Sequence, residues 1–217
     1  MIVGVPKEIK EGEFRVAIIP SNVKKLVDNN HRVLVETNAG AEAGFTDDEY
    51  RQAGAEIVSS MEEVYQRAEL IVKVKEILPE EFGLLKEKHI IMTYIHSANR
   101  LPQTKALLDS KVVAFAYEDV RDEHGENPLL IPMSEIAGEV GVLIGAYYLF
   151  NTNGGRGKLL GGVPGVEKAK VVIFGAGNVG LRAAKLAIGL GADVTLMDTN
   201  IRRMREVETF LLPKVKT

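Results

Sequence analysis

Along this chain, short runs of apolar and β-branched residues alternate with stretches whose apolar positions recur every three to four residues. Ile2 to Val5 reads as a strand. Pro20-Ser21 then opens a helix whose apolar positions are Val23, Leu26 and Val27, and Arg32 to Glu36 reads as the next strand. Thr46-Asp47-Asp48-Glu49 and Ser60-Met61-Glu62-Glu63 both carry the hydroxyl-x-x-Glu spacing of a capping box, which satisfies orphan N–H groups at a helix start. Further strands are expected at Ala55 to Val58, Glu69 to Lys75, Ile90 to Ile95 and Val112 to Tyr117, with helices at Glu80 to Lys86 and Pro102 to Leu108. Strand and helix patterns in strict alternation predict a mostly parallel sheet with helices on both faces.

The alternation breaks at Asp119 to Pro132, which is polar and contains Gly and Pro. A long helix, SEIAGEVGVLIGAYYLF, is expected from Ser134 to near Asn151. Two glycine-rich pieces follow, Asn153 to Gly157 and Gly161 to Gly165, which is linker chemistry. The fold class is therefore α/β: a mostly parallel, doubly wound sheet domain over 1–130, a connecting helix and loop over 131–169, and an incomplete Rossmann-type nucleotide-binding domain over 170–217. No fixed-period repeat and no low-complexity tract appears.

Within the last segment, KVVIFGAGNVGLRAAKLAIGLGADVTLMD spans Lys170 to Asp198 and reads as strand, glycine turn, helix, strand and acid. Gly175 permits the tight turn, Gly177 admits a pyrophosphate close to the backbone, and Gly180 lets the helix lie on its strand. The N–H groups of the first helical turn, from Asn178 and Val179 onward, then face the phosphates. Asp198, eighteen positions beyond Gly180, is placed to take the ribose hydroxyls of NAD and to repel the 2′-phosphate of NADP. Glycines at this spacing also occur in ordinary turns. The flanking strand, helix and terminal acid favour a dinucleotide, with NAD as cofactor. After Asp198, Ile201 to Leu211 reads as a charged helix. Only two strands and the start of a third are encoded where a doubly wound nucleotide fold needs about six. The open sheet edge needs a cover, for which another subunit is one candidate.

Composition narrows the class. The 217 residues carry a net charge of −3, 46% hydrophobic residues and no cysteine. This offers no electrostatic footprint for nucleic acid or an acidic membrane, and no disulfide framework. Met1-Ile2-Val3-Gly4 lacks signal-peptide character and no apolar run is long enough to span a bilayer, so a soluble, cytoplasmic protein is expected.

Ligands of open parallel sheets bind beyond the carboxyl ends of the strands. Lys75 closes ELIVKVK, His96 follows IIMTYI, Glu118 follows AFAY, and Arg15 lies in the loop beyond IVGV. Arg offers a planar fork and Lys a point charge for a small carboxylate. His96 is suited to move protons near neutral pH, with Glu118 able to orient its ring. Each has a plainer reading: Lys75 as a snorkelling strand end, Arg15 as a solvated charge, His96 as a loop histidine bonded to backbone. Their joint placement favours the functional one. Lys73, inside the strand, is assigned to structure. His31, His89 and His124 show no metal-ligand spacing, so no metal is expected. Ser97 beside His96 lacks a nucleophile-elbow context. Arg202 and Arg203 read as a solvated helix face, with Arg203 in reach of an adenine ribose.

These segments, VGVPKEIKEGEFRVAIIP, KVKE, YIHSAN, PMSEIAG, GGRGKLLGGVPGV and VVIFGAGNVG with GADVTLMDTN, resemble the alanine dehydrogenase family. More distantly they are similar to the NAD-binding subunit of proton-translocating transhydrogenase. The resemblance runs from Met1 to the end of the chain. It implies NAD-dependent oxidative deamination of L-alanine to pyruvate and ammonia, and the reverse amination. It implies Arg15 and Lys75 on the substrate carboxylate or carbonyl, His96 as acid/base, and Tyr94 and Glu118 lining the site. Ser134, the turn from Gly175 through Asn178 and Val179 to Gly180, Asp198 and Arg203 would hold NAD. It also implies a hexamer.

Two departures accompany the resemblance. Glu139 stands where an arginine is expected. The family's chain also continues beyond the equivalent of Thr217, completing the nucleotide domain, supplying a catalytic aspartate and returning to the first domain. The expectation is a C-terminally truncated dehydrogenase, weakly active or inactive alone. The alternatives are a non-catalytic ligand-binding or oligomerisation module, or one half of a split dehydrogenase or transhydrogenase-like subunit.

Overall fold

The computed structural model describes residues 1–211 and 215–216; Leu212 to Lys214 and Thr217, in the stretch that follows the expected charged helix, lie outside the described residues. The chain divides into two compact units, Met1–Asn127 and the segment from Pro128 onward.

In the first unit, β1 (Ile2–Val5), α1 (Pro20–Asp28), β2 (Arg32–Glu36), α2 (Asp47–Gln52), β3 (Glu56–Val58), α3 (Met61–Arg67), β4 (Leu70–Val72), α4 (Pro79–Phe82), β5 (Ile90–Thr93), α5 (Leu101–Asp109) and β6 (Val113–Ala116) alternate as expected. The six strands lie in the order β3-β2-β1-β4-β5-β6, and every pairing is parallel. The connections leave β1 and β4 in opposite directions. The carboxyl ends of these neighbouring strands therefore flank a topological switch point, where open α/β sheets hold their ligands.

Successive residues of a strand face opposite sides, and here both sides are packed. Val3, Val5, Val33, Val35 and Val72 meet Val23 of α1 and Tyr50 of α2. Leu34, Ile71 and Ile91 meet Val64 and Tyr65 of α3 and Leu107 of α5. Burial on two faces explains continuous apolar runs in place of alternation. Each fully buried aliphatic side chain contributes roughly 1.5–3 kcal/mol.

Local details differ from the sequence reading. Strands β4, β5 and β6 are shorter than the apolar runs, since parallel pairing stops at Val72, Thr93 and Ala116. The residues beyond them lead toward the rim, Lys73 still buried and Lys75 and His96 partly exposed. Helix α1 starts with Pro20 at its first position, without a side-chain cap. The capping box at Thr46 and Glu49 is complete. At Ser60 only half forms: the Ser60 hydroxyl accepts the Glu63 N–H, while the Glu63 carboxylate accepts from Ser59 N at 3.1 Å.

The second unit contains α6 (Ile131–Tyr148), β7 (Lys170–Phe174), α7 (Asn178–Gly189), β8 (Asp193–Met197), α8 (Ile201–Leu211) and β9 (Val215–Lys216), with β7, β8 and β9 parallel. Helix α6 begins three residues before Ser134, because Pro132 sits in its first turn, where the missing N–H costs nothing. It packs on α7 within this unit at Gly138, where a Cβ would collide with the Val179 carbonyl oxygen. Ala184, Ala187, Val194, Leu196 and Val207 form the core. Among the described residues no helix is long and apolar enough to cross a membrane.

Candidate functional site

In the first unit the loops leaving β1, β4, β5 and β6 bring charged side chains to one rim. The β1 loop carries Glu8, Lys10, Glu13 and Arg15, and the β4 loop carries Lys73, Lys75 and Glu76. Arg15 and Lys75, far apart in sequence, meet at Glu13. The guanidinium donates from Nε to Glu13 Oε1 at 2.7 Å and from Nη2 to Oε2 at 2.6 Å. Lys75 Nζ stands 3.9 Å from the same Oε2. The Glu13 side chain is 6% exposed, against 46% for Arg15 and 29% for Lys75. A buried acid thus sits beneath two partly exposed cations. The bonds from Arg15 hold the Glu13 carboxyl below its ordinary range, against the opposing effect of burial.

Beneath Lys75, Glu8 Oε1 accepts Val74 N at 2.6 Å and Lys75 N at 3.4 Å. Burial pushes the Glu8 carboxyl up, with Lys73 and the backbone bonds opposing. Lys73 is fully buried, bonded to Glu81 Oε1 at 2.7 Å. Its burial fits the assignment to structure, although β4 ends at Val72, one residue before it, and the side chain is not inside the strand as expected. Glu76 Oε1 accepts Lys10 Nζ at 2.5 Å and Arg100 Nη2 at 2.8 Å, which ties the loops after β1, β4 and β5 together. Burial raises the Glu76 carboxyl, yet the Lys10 bond and the adjoining charges outweigh it and the net shift is downward.

The β5 loop carries Tyr94 and His96. His96 adopts a left-handed backbone with φ 51°, uncommon for a residue with a Cβ. Glu118 holds that conformation: its Oε1 accepts His96 N at 2.6 Å and Ile95 N at 3.1 Å. The imidazole Nδ1 lies 3.6 Å from the same oxygen. The Tyr94 ring stacks on His96 at 6.1 Å and meets Tyr117 edge-on at 5.1 Å. Burial raises the Tyr94 hydroxyl, with Arg15 close enough to oppose it. Arg15 and Lys75 thus meet at Glu13, while Tyr94, His96 and Glu118 form a second group whose Tyr94 hydroxyl feels the Arg15 charge. An open cleft of ≈ 730 Å³ adjoins it between α5 and β6, lined by His96, Ser97, Thr104, Glu118 and apolar residues such as Leu107.

The sequence reading missed Glu8, Glu13, Glu76, Lys10 and Arg100. A usable signal was present for two of them: Glu13 lies two residues before Arg15 and Glu76 directly follows Lys75. In loops beyond strand ends, such acids are natural counter-charges.

In the second unit the glycine turn has the anticipated form. Gly175 has φ +98°, which disfavours any other residue, and a Cβ on Gly180 would strike the Gly175 carbonyl oxygen. A Cβ on Gly177 would have nothing within 4 Å, so there is open space over the start of α7. Asp198 closes β8 with both oxygens engaged, Oδ2 by Ala176 N at 2.6 Å and Oδ1 by Asn200 N at 2.7 Å. Those bonds lower its carboxyl. Each oxygen keeps a second acceptor site. Arg203 is more than a solvated helix charge, because its Nε donates to the Ala176 carbonyl at 2.9 Å. Ser134 lies one turn before Gly138, on the helical face that meets the start of α7. Glu139, where an arginine was anticipated, pairs with Arg182 Nε at 2.7 Å.

Comparison with known proteins matches both units. A family model described as alanine dehydrogenase/PNT, N-terminal domain covers residues 4–137, and its C-terminal counterpart covers 141–217. The alanine dehydrogenase of Methanococcus maripaludis is 51% identical over all 217 residues, which cover 58% of its length. That of Staphylococcus epidermidis is 48% identical with the same coverage. Among solved structures, an L-alanine dehydrogenase superposes on the whole chain with TM-score 0.93 at 48% identity, 60% of its own chain being covered. A transhydrogenase from Sinorhizobium meliloti gives TM-score 0.81 at 26% identity, with 61% of its chain covered. The chain therefore spans a little under two thirds of the length of these relatives.

Proposed function

The chain belongs to the alanine dehydrogenase/PNT family, and we propose that it carries the substrate-binding and phosphate-gripping parts of an NAD-dependent enzyme that deaminates L-alanine oxidatively to pyruvate and ammonia, and runs the reverse amination. The observation that supports this most is the meeting of Arg15 and Lys75 over Glu13 beside the switch point. The charges of the trio sum to one positive unit, which suits one carboxylate.

Arg15 and Lys75 take the substrate carboxylate or carbonyl oxygen, Arg15 as a planar fork and Lys75 as a point charge. Glu118 fixes the His96 loop and faces Nδ1, which leaves Nε2, on the far side of the ring, to exchange the proton. Tyr94 walls the site and keeps the imidazole plane in place. The residues of the glycine turn fit a dinucleotide: Gly177 leaves room for a pyrophosphate, the N–H groups of Asn178 and Val179 face it, and Asp198 offers its remaining acceptor sites to ribose hydroxyls. Ser134 and Arg203 flank the same turn. NAD, when bound, supplies the acceptor for the hydride of the substrate Cα.

Identity of 48–51% with alanine dehydrogenases, against 26% with the transhydrogenase, favours the dehydrogenase over the transhydrogenase-like alternative. Homo-oligomeric assembly and a cytoplasmic location belong to the same reading. The former is supported by apolar side chains such as Leu143, Tyr147 and Tyr148 that are more than half exposed on α6.

Calorimetric titrations with pyruvate and with NADH test the reading separately. Arg15→Ala and Lys75→Ala should each weaken pyruvate binding by about tenfold or more, since each removes a charged hydrogen-bond partner, and leave NADH binding unchanged. Pyruvate binding that survives both substitutions overturns the substrate assignment.

A further inference from the structure

Building on the carboxylate-site reading, we propose that Glu13 is a positioning residue for substrate: its buried carboxylate orients the Arg15 guanidinium and sets its separation from Lys75. Arg15 is a long side chain on a loop. Fixing it costs rotamer entropy unless something holds it beforehand. Glu13 holds it at three points, through Nε, Nη2 and the Arg15 backbone N–H, the last at 3.0 Å to Oε1. The backbone bond makes the hold rigid, because it pins the carboxylate to the same residue whose side chain it grips.

Lys75 approaches the same acid at the oxygen that Arg15 Nη2 bonds. Its Nζ is 3.9 Å from Glu13 Oε2, an ion-pair separation rather than a hydrogen bond. Its ammonium protons thus remain directable toward a ligand while the charge stays attracted. The burial order points the same way. The acid is nearly sealed while both cations are partly open, so an incoming carboxylate meets the cations first. Glu13 also offsets the repulsion that would drive two adjacent cations apart. Without it, Arg15 and Lys75 would lose the group on which both are aligned.

The experiment is a double-substitution cycle on the full chain, read by pyruvate affinity. Glu13→Gln should weaken pyruvate binding by about tenfold in the parent, in line with loss of a charge-assisted bidentate pair. In an Arg15→Lys background, where the bidentate grip is already gone, the same change should cost less than about twofold. Restoring the acid as Glu13→Asp should recover part of the affinity, since the charge returns with a shorter reach. Thermal unfolding of each variant separates folding from positioning, and Glu13→Asp carries the cycle if Glu13→Gln does not fold. Equal losses in both backgrounds, or no loss in the parent, overturn the proposal. If Arg15→Lys itself leaves pyruvate binding unchanged, the substrate-site reading fails instead, and the two failures are told apart.

Discussion

Lys73 Nζ donates to Glu81 Oε1 at 2.7 Å with both side chains fully buried, and the Tyr65 hydroxyl donates to the same oxygen at 2.7 Å. The pair lies directly below the rim that carries Lys75, with Glu8 Oε2 3.8 Å from Lys73. A buried charge left alone is costly, whereas a buried pair replaced by apolar groups need not be. Lys73→Met and Glu81→Leu should therefore each destabilise by about 3–5 kcal/mol, and the double variant by clearly less than the sum. Urea unfolding of the three variants checks this. Additive losses would mean the two side chains are not coupled.

Gly177 and Gly180 differ in what surrounds them, and their alanine variants should separate. Gly180→Ala collides with the Gly175 carbonyl oxygen and should lower the thermal midpoint of the second unit by several degrees, in line with overpacking of about 1–3 kcal/mol. Gly177→Ala meets open space and should leave the midpoint unchanged while weakening NADH binding by about tenfold, because the new methyl occupies the approach of a phosphate. NADH binding untouched by Gly177→Ala would remove the pyrophosphate from that turn.

Asp198 serves both the turn and the proposed ribose. Asp198→Asn keeps an oxygen for one of the two backbone N–H groups it now accepts and removes the negative charge. The ratio of NADPH to NADH affinity should rise, since repulsion of the 2′-phosphate is relieved. Fluorescence titration with both nucleotides decides it, and an unchanged ratio counts against Asp198 as the discriminating group.

His89 predicts a pH dependence of stability. It is fully buried; its Nδ1 accepts Lys86 N at 3.1 Å, so Nε2 donates to the Tyr65 carbonyl at 2.8 Å. Burial lowers its pKa from 6.5, the Tyr65 carbonyl opposes this, and Lys88 and Lys86 add to it. The unfolded chain then binds the extra proton first. The contribution is complete above about pH 6.5 and is lost as pH falls from there toward the folded pKa. Unfolding free energy should decline between pH 7 and 5, and less steeply in His89→Gln. An identical slope in the variant would show that other groups govern the decline.

What the sequence by itself determined is the order of strands and helices, the doubly wound class, the glycine turn and the position of Arg15, Lys75, His96 and Glu118 beyond strand ends. All are local. Apolar runs mark strands because a strand buried on both faces needs them, and Gly175 and Gly180 are demanded by a positive φ and a close approach within a few residues. Tertiary structure alone decided what those residues touch. That Arg15 and Lys75 share Glu13, that Glu118 holds the left-handed turn at His96, and that Lys73 and Glu81 meet out of solvent all depend on which strand ends become neighbours. The β3-β2-β1-β4-β5-β6 order brings the loops after β1 and β4 side by side across about sixty residues of sequence. Periodicity and spacing describe one segment at a time, and a contact between two loops leaves no periodic trace in either. Strand lengths were likewise settled in three dimensions, since an apolar run continues into the rim while the parallel ladder ends where its partner strand does.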